Sequence, residues 1–398
     1  MACPHMWILA GESTPSIQDM RILLAAQFLK AICACVLMSI LVAGLWPFHA
    51  PRNDVSWLSG GSGLVFGKDG SIVSANSFEV DPARDGDSCS LEIWLKPARL
   101  DSGGMILAFY RANGDVVPFS LRQYQSGLVL ARPSQSDVRE KDEVYVGEVF
   151  DASDPVLVTI TSNRTSTAIY ADGRLLKRVS SFVGLGRDLT GQLVIGNAPT
   201  TPYTWSGELK GLAIYDRELT ETEIAKSPAD WTIAGRPDSS EREALVARYL
   251  FDEGQGRVVR NRVDAATDLL IPERFFVLHP QFLERPWDEF RPSWSYCKDV
   301  GINIFGFVPL GFFFSAYFAA ILKTRRAIWL TVALGLAVSL TIEILQSFLP
   351  TRDSGMTDLI TNTLGTAMGA TLYVWGEKRR WFARVRSSFD RLGFRSVD

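Results

Sequence analysis

Long apolar runs stand near both ends of the chain, and a polar stretch rich in glycine and turn residues lies between them. Four runs are long enough to cross about 30 Å of hydrocarbon at about 1.5 Å per residue: 27–46, 302–322, 327–349 and 356–375. The last is diluted by Asp358, Thr361, Asn362 and Thr363, but parity and flanking charge require it. From about 57 to 270 the period of the pattern shortens to two. LVTITSNRTSTAIYADGRLL (Leu157 to Leu176) alternates apolar and polar positions, and Asp172-Gly173 marks a hairpin turn, because a type I′ turn needs the positive φ that glycine takes freely. SLEIWLKP at Ser90, MILAFY at Met105, SGLVLA at Ser126 and GQLVIG at Gly191 read as further short strands. The pattern predicts an antiparallel β-sandwich held between membrane helices.

Basic residues near the ends of the runs set an orientation. Lys323, Arg325 and Arg326 separate the second and third runs, and Lys378, Arg379, Arg380, Arg384 and Arg386 follow the fourth, whereas the 350–355 loop has only Arg352. Both termini are therefore expected in the cytoplasm and the sandwich outside it, with Trp46, Trp294, Tyr296, Tyr373 and Trp375 at the interfaces. The expected order is a disordered leader (1–20), a first transmembrane helix (21–47), the sandwich (57–270), an interfacial connector (271–300), a membrane domain (301–376) and a basic cytoplasmic tail (377–398). The first run is read as an uncleaved anchor, since cleavage after Ala50 would leave Pro51 in front and no Cys follows to take a lipid. The pair Met20-Arg21 reads as a natural start.

Composition narrows the chemistry. A chain of 398 residues is too long for one ordinary core, and a net charge of -3 gives no hint of nucleic acid. Cys33 and Cys35 fall in the first run, nothing pairs Cys89 with Cys297, and the three histidines (His5, His49, His279) have no metal-ligand spacing, so no cofactor is expected. Asn163 opens a glycosylation sequon of a kind common by chance.

The costly residues lie in the last two runs. Glu343 and Gln346 fall about 9 Å and 5 Å below the outer end of the third run, Asp358 and Asn362 in the first turns of the fourth, and Asn303 at the start of the second. Each unpaired group of this kind costs about 2.5–3.5 kcal/mol on insertion scales, so they should pair or line a wet cavity. Glu343 with Gln346, and Asp358 with Asn362, share helix faces, and Arg352 is near enough in sequence to pair with either acid. Gly365 and Gly369 would allow close helix approach, and Pro309 should loosen the second helix.

Two resemblances follow from these motifs. GLVFGKDGSIVS, SLEIWLKP, TAIYADGRLLK, GQLVIGN and WSGELKGLAIYDRELTETEI resemble, in order, the concanavalin A-like, laminin-G-like jelly roll, with Thr220 as N-cap of a closing helix and Glu223 at the capping-box position. ARYLFDEGQGRVVRN (Ala247 to Asn261) resembles the strand that usually opens such a domain but follows its close, so the sandwich is either circularly permuted or has an edge completed late. Glucanases of related fold need a carboxylate set such as ExDxxE; Glu79 and Asp81 open one, but Arg84 takes the third place. Ca²⁺ or sugar on the loops with Asp81, Asp85 and Asp87 is the weaker reading beside solvated turn acids.

NIFGFVPLGF, SLTIEILQSFLPTR and DLITNTLGTAMGA resemble the VanZ-like family of bacterial membrane proteins over about 300–375, with the first run as its opening helix and some 250 residues inserted after it. The fold expected is thus multidomain: an all-β concanavalin A-like jelly-roll sandwich plus an all-α four-helix transmembrane bundle. The resemblance implies a multi-pass protein of the bacterial cytoplasmic membrane, linked to envelope physiology and glycopeptide resistance. Its partners would be the bilayer and an envelope glycan or lipid-linked precursor bound at Asn303, Glu343, Gln346, Arg352, Asp358 and Asn362. The rivals are an enzyme using Glu343 and Asp358 as acid and base, which lacks a nucleophile, a metal set and a phosphate loop, and a structural scaffold.

Overall fold

A computed structural model describes residues 17–79, 87–133, 141–151, 153–231, 244–290, 292–352 and 354–378, the side chains of 17–25, 141 and 288 excepted. The chain divides into two compact units. One holds residues 49–281 with 349–353; the other holds the described residues up to Phe48, Phe282–Phe348 and those from Ser354 on.

The first unit is all β apart from short helices. Its strands, in chain order, are β1 (Val55–Trp57), β2 (Leu64–Phe66), β3 (Ile72–Ser74), β4 (Cys89–Pro97), β5 (Gly103–Arg111), β6 (Val116–Tyr124), β7 (Gly127–Pro133), β8 (Lys141–Val146), β9 (Val156–Ser162), β10 (Thr167–Ala171), β11 (Arg174–Val179), β12 (Gln192–Ile195), β13 (Gly207–Tyr215), β14 (Leu245–Tyr249), β15 (Val258–Val259) and β16 (Leu269–Leu270). The first sheet runs β1-β2-β13-β4-β9-β10-β11 with β14 added beside β13; the second runs β15-β16-β3-β12-β5-β6-β7-β8. Alternate residues of both meet in one core that includes Phe66, Phe109, Phe119, Trp205 and Tyr249. The β10–β11 hairpin turns at Asp172 and Gly173, with φ of 47° and 77°, as its sequence predicts.

Residues 245–270 settle where the late strand goes. β14 pairs with Leu212–Tyr215 of β13, beyond the stretch that β2 covers, while β15 and β16 extend the second sheet past β3. The segment thus completes an edge of each sheet. The closing helix α2 (Glu221–Ala229) carries the expected capping box, with Thr220 accepting from the Glu223 N–H. The same Glu223 holds Arg217 at 2.6 Å, and that pairing draws its carboxyl down to about 2. Glu92 is buried on the outer face of the first sheet and satisfied by Tyr215 Oη at 3.2 Å, Trp231 Nε1 at 3.0 Å and Thr159 Oγ1 at 3.4 Å.

The second unit is helical, and its boundaries differ from the hydropathy pattern. α1 spans Ile17–Leu45, so residues 17–20 are helix rather than leader; residues 1–16 of that leader lie outside the described residues. After a short α3 (Pro286–Glu289), α4 spans Trp294–Ala319, eight residues ahead of the apolar run, because Ser293 caps it by accepting the Tyr296 N–H. It is continuous through Pro309. α5 (Thr324–Gln346) ends before Phe348 and Leu349, which raise hydropathy but lie in the turn leading to Pro350. α6 spans Met356–Lys378, two residues into the expected tail, whose remainder, 379–398, is outside the described residues.

Ala26–Leu45, Trp294–Ala319 and Thr324–Gln346 are long and apolar enough to cross a membrane. α6 matches α5 in length, but its polar first turns leave it outside that set. It packs against α4 through glycine: a Cβ at Gly365 would run into the Ile304 carbonyl, and one at Gly369 into that of Val308. The expected close approach is therefore toward α4, not toward α5. Gly335 makes room for Thr366 on the α5 side.

Candidate functional site

One buried stripe of α5 contains Gly335, Ser339, Glu343 and Gln346, at the three- and four-residue spacing that places side chains on one face. Glu343 is only 1% exposed, so its carboxyl must find partners inside the protein. Its Oε2 accepts the Gly355 N–H at 2.9 Å, just ahead of α6, and the Ser354 hydroxyl bonds it as well. The first N–H groups of a helix have no partner within it, and here they are met one by one. Glu284 O takes the Met356 N–H at 2.9 Å and Glu289 Oε2 takes the Thr357 N–H at 3.2 Å. Two carboxylates thus sit on the positive end of the α6 dipole.

Below that cap the helices are joined by amides. Asn362 Nδ2 donates to Ser339 Oγ at 3.0 Å, Asn303 Nδ2 to Asp358 Oδ1 at 2.7 Å, and Gln346 Nε2 to the Gly44 carbonyl of α1 at 2.8 Å. Asn303 lies well inside α4, not at its start, because the helix begins at Trp294. The Gly44 carbonyl can only accept, which fixes the Gln346 amide with Oε1 turned away. Among the described residues Gln346 Oε1 and Asn362 Oδ1 are buried acceptors without a hydrogen-bond partner. Such orphans are uncommon, and each would be satisfied by a group that donates a hydrogen bond.

Five of the six residues singled out from sequence therefore meet in one unit: Asn303, Glu343, Gln346, Asp358 and Asn362. Arg352 is exposed and belongs with residues 349–353 of the other unit. Sequence reasoning missed Glu289 and Ser354. Glu289 was read as part of an interfacial connector, yet 282–289 runs beside 354–357, with Glu284 bridged to Gly355. No local signal marks Glu289, whose partner Thr357 is 68 residues away.

Comparison with known families assigns both parts. Residues 245–377 match the family model VanZ/LLP1, and residues 66–225 match that of the concanavalin A-like lectin/glucanases superfamily. The chain joins a VanZ-like domain to a concanavalin A-like domain. The VanZ/LLP1 match begins at β14, so it takes in the three strands that complete the sandwich edges as well as the helices. No curated protein matches the chain.

Among solved structures, similar folds include the CBM40 of the Ruminococcus gnavus IT-sialidase bound to alpha2,3 sialyllactose, at 15% identity over 36% of this chain and 83% of that one, with a TM-score of 0.31. A candidate carbohydrate binding protein from Bacteroides ovatus is 13% identical over 56% of this chain and 58% of that one, TM-score 0.38. The binding domain of botulinum neurotoxin DC, in complex with rat synaptotagmin II, is 13% identical over 45% and 46%, TM-score 0.32. This chain spans about half the length of the last two.

The VanZ-like helices bury the Glu343 carboxyl and the unmet amide oxygens of Gln346 and Asn362. On the concanavalin A-like domain, Asp87 is held between Arg164 Nε at 2.9 Å and Arg187 Nε at 2.8 Å, while Asp81, Asp85 and Arg84 lie outside the described residues. Asn163 is committed to its own turn: Oδ1 accepts from Thr165 and Ser166, and Nδ2 donates to Glu218 at 2.7 Å.

Proposed function

We propose that this is a four-span protein of the bacterial cytoplasmic membrane whose sandwich binds envelope glycan outside the cell. Its VanZ-like helices hold a headgroup or sugar of an envelope lipid or glycan precursor. Membership of the lectin/glucanase superfamily supports the first part, and the three apolar helices with α6 packed along α4 support the second. The observation that carries the ligand reading is the pair of orphaned acceptors, Gln346 Oε1 and Asn362 Oδ1, beside Glu343 and Asp358. The ligand would enter with hydroxyl or amine groups foremost, since acceptors and acids repel a phosphate. Both termini would lie in the cytoplasm, as the basic flanks of α4 to α6 favour.

A second reading is favoured by the same hydrogen bonds. Each polar side chain also joins two helices, so the cluster serves as a latch that keeps a small bundle together, each bond adding about 0.6 kcal/mol on average. An acid and base pair, Glu343 with Asp358, is a third reading. Glu343→Gln and Asp358→Asn separate these in cells. Loss of envelope function, read as altered glycopeptide susceptibility, at unchanged membrane abundance supports the ligand site. Loss of function together with abundance supports the latch.

A further inference from the structure

The outer face of the second sheet divides into a covered and an open half. In the covered half His279 stacks on Tyr110 at 5.5 Å, and Ala108, Ser120 and Ala131 lie in register behind it, all nearly buried. In the open half the register alternates aromatic rings with glycine. Tyr124 of β6 is opposite Gly103 of β5 on one side and Gly127 of β7 on the other. A Cβ on Gly103 would lie 3.0 Å from Tyr203 Oη, and one on Gly127 would lie 2.8 Å from the Tyr145 ring. Cβ direction alternates along a strand, so Tyr203 and Tyr145 lie over the same face from which Tyr124 projects. The rings of Tyr124 and Tyr145 meet edge to face at 6.0 Å. All three remain open to solvent, at 52% for Tyr124, 47% for Tyr145 and 37% for Tyr203.

Beside the rings, Arg122 Nη2 bridges both oxygens of Glu143 at 2.9 and 2.8 Å, which pairs the two charges lying among the rings and leaves Arg122 Nε without a partner among the described residues, while Lys177 Nζ donates to the Tyr145 carbonyl at 2.8 Å. With Arg122 and Glu143 paired, the face between the rings has little pull on an acidic peptide or nucleic acid. What it offers is exposed aromatic surface next to fixed polar groups, the complement of a sugar ring with an apolar C–H face and a rim of hydroxyls.

Resting on the reading of the sandwich as a glycan-binding module, we propose that this row of Tyr203, Tyr124 and Tyr145 binds a neutral polysaccharide strand laid across β5 to β8. The rings pack against successive sugars, by face or by edge, and Arg122 with Glu143 takes their hydroxyls. Gly103 and Gly127 keep the floor flat.

The test uses the full-length protein in detergent micelles on an array of neutral and of uronate- or sialate-bearing oligosaccharides. Neutral linear oligosaccharides are retained; Tyr124→Ala and Tyr145→Ala each weaken retention about tenfold, as truncation of an aromatic anchor does. Tyr145→Phe binds like the wild type, since the ring and not the hydroxyl carries the contact. Near-ultraviolet circular dichroism establishes that the alanine variants keep the wild-type fold. Wild-type affinity in both alanine variants places the sugar elsewhere and overturns this site while the glycan-binding reading stands. Retention of acidic glycans alone overturns the neutral class. A wild-type protein that retains no glycan defeats the module reading itself, and this site with it.

Discussion

Replacing Glu343 by alanine tests what the buried carboxyl does for the bundle. The substitution removes the acceptor of the Gly355 N–H, at 2.9 Å in the native protein, and the partner of the Ser354 hydroxyl. The hydroxyl can turn to another acceptor, but the amide cannot. An N–H left buried and unmet costs about 1–3 kcal/mol. Glutamine keeps one carbonyl oxygen of nearly the same reach, and its amide nitrogen can donate to the Ser354 hydroxyl, so the cost of Glu343→Gln should stay within about 1 kcal/mol. The measurement is unfolding of the full-length protein in mixed micelles by SDS titration, followed at the helical band of the circular dichroism spectrum. The order expected is wild type, then glutamine close behind, then alanine clearly weaker. Alanine as stable as wild type would refute the capping role, and glutamine as weak as alanine would mean that the charge itself, not the acceptor, holds the helices.

Gly365→Ala should cost about 1–3 kcal/mol in the same titration, because a methyl there meets the Ile304 carbonyl and α4 must shift; no loss would mean that α4 and α6 do not pack this closely. Glu223 has a carboxyl held at about 2, below its ordinary 4.5, so its ion pair with Arg217 stabilises the sandwich fully above about 4.5 and progressively less as pH falls toward 2. Glu223→Gln should lower stability at neutral pH and flatten the decline over that window, as followed by tryptophan fluorescence. A wild-type decline retained in the variant would assign the acid sensitivity to other groups.

Much of this organisation is legible along the chain, and the reasons differ by element. Asp172-Gly173 and the Thr220/Glu223 box depend on neighbours in sequence, so local chemistry suffices to find them. The pair Glu343 and Gln346 shows because helical spacing puts costly groups on one face, whereas Ser339, which completes their stripe, does not stand out by polarity. Glu289 does not show, since its role comes from the pairing of 282–284 with 354–356 and the short α3 that follows, which no periodicity announces. The tyrosine row is invisible for a similar reason: residues 124 and 145 come together only once the register of β5 to β8 is set, and Tyr203 joins them only through the bond of its carbonyl to the Met105 N–H. Hydropathy also mislaid the start of α4, where Ser293 and a polar first turn extend a helix that composition alone would begin later.

The proposed function requires the sandwich, the start of α4 and the end of α5 all to be on the outer side of the membrane. Cys297, in the first turn of α4, is exposed, whereas Cys89 is buried with its thiol pushed far up by burial, so a membrane-impermeant maleimide can distinguish them. Labelling of intact cells should modify Cys297, with the signal lost in Cys297→Ser, while a cysteine introduced by Lys323→Cys between α4 and α5 should react only after permeabilisation. The reverse pattern, with position 323 open from outside and Cys297 protected, would contradict the account.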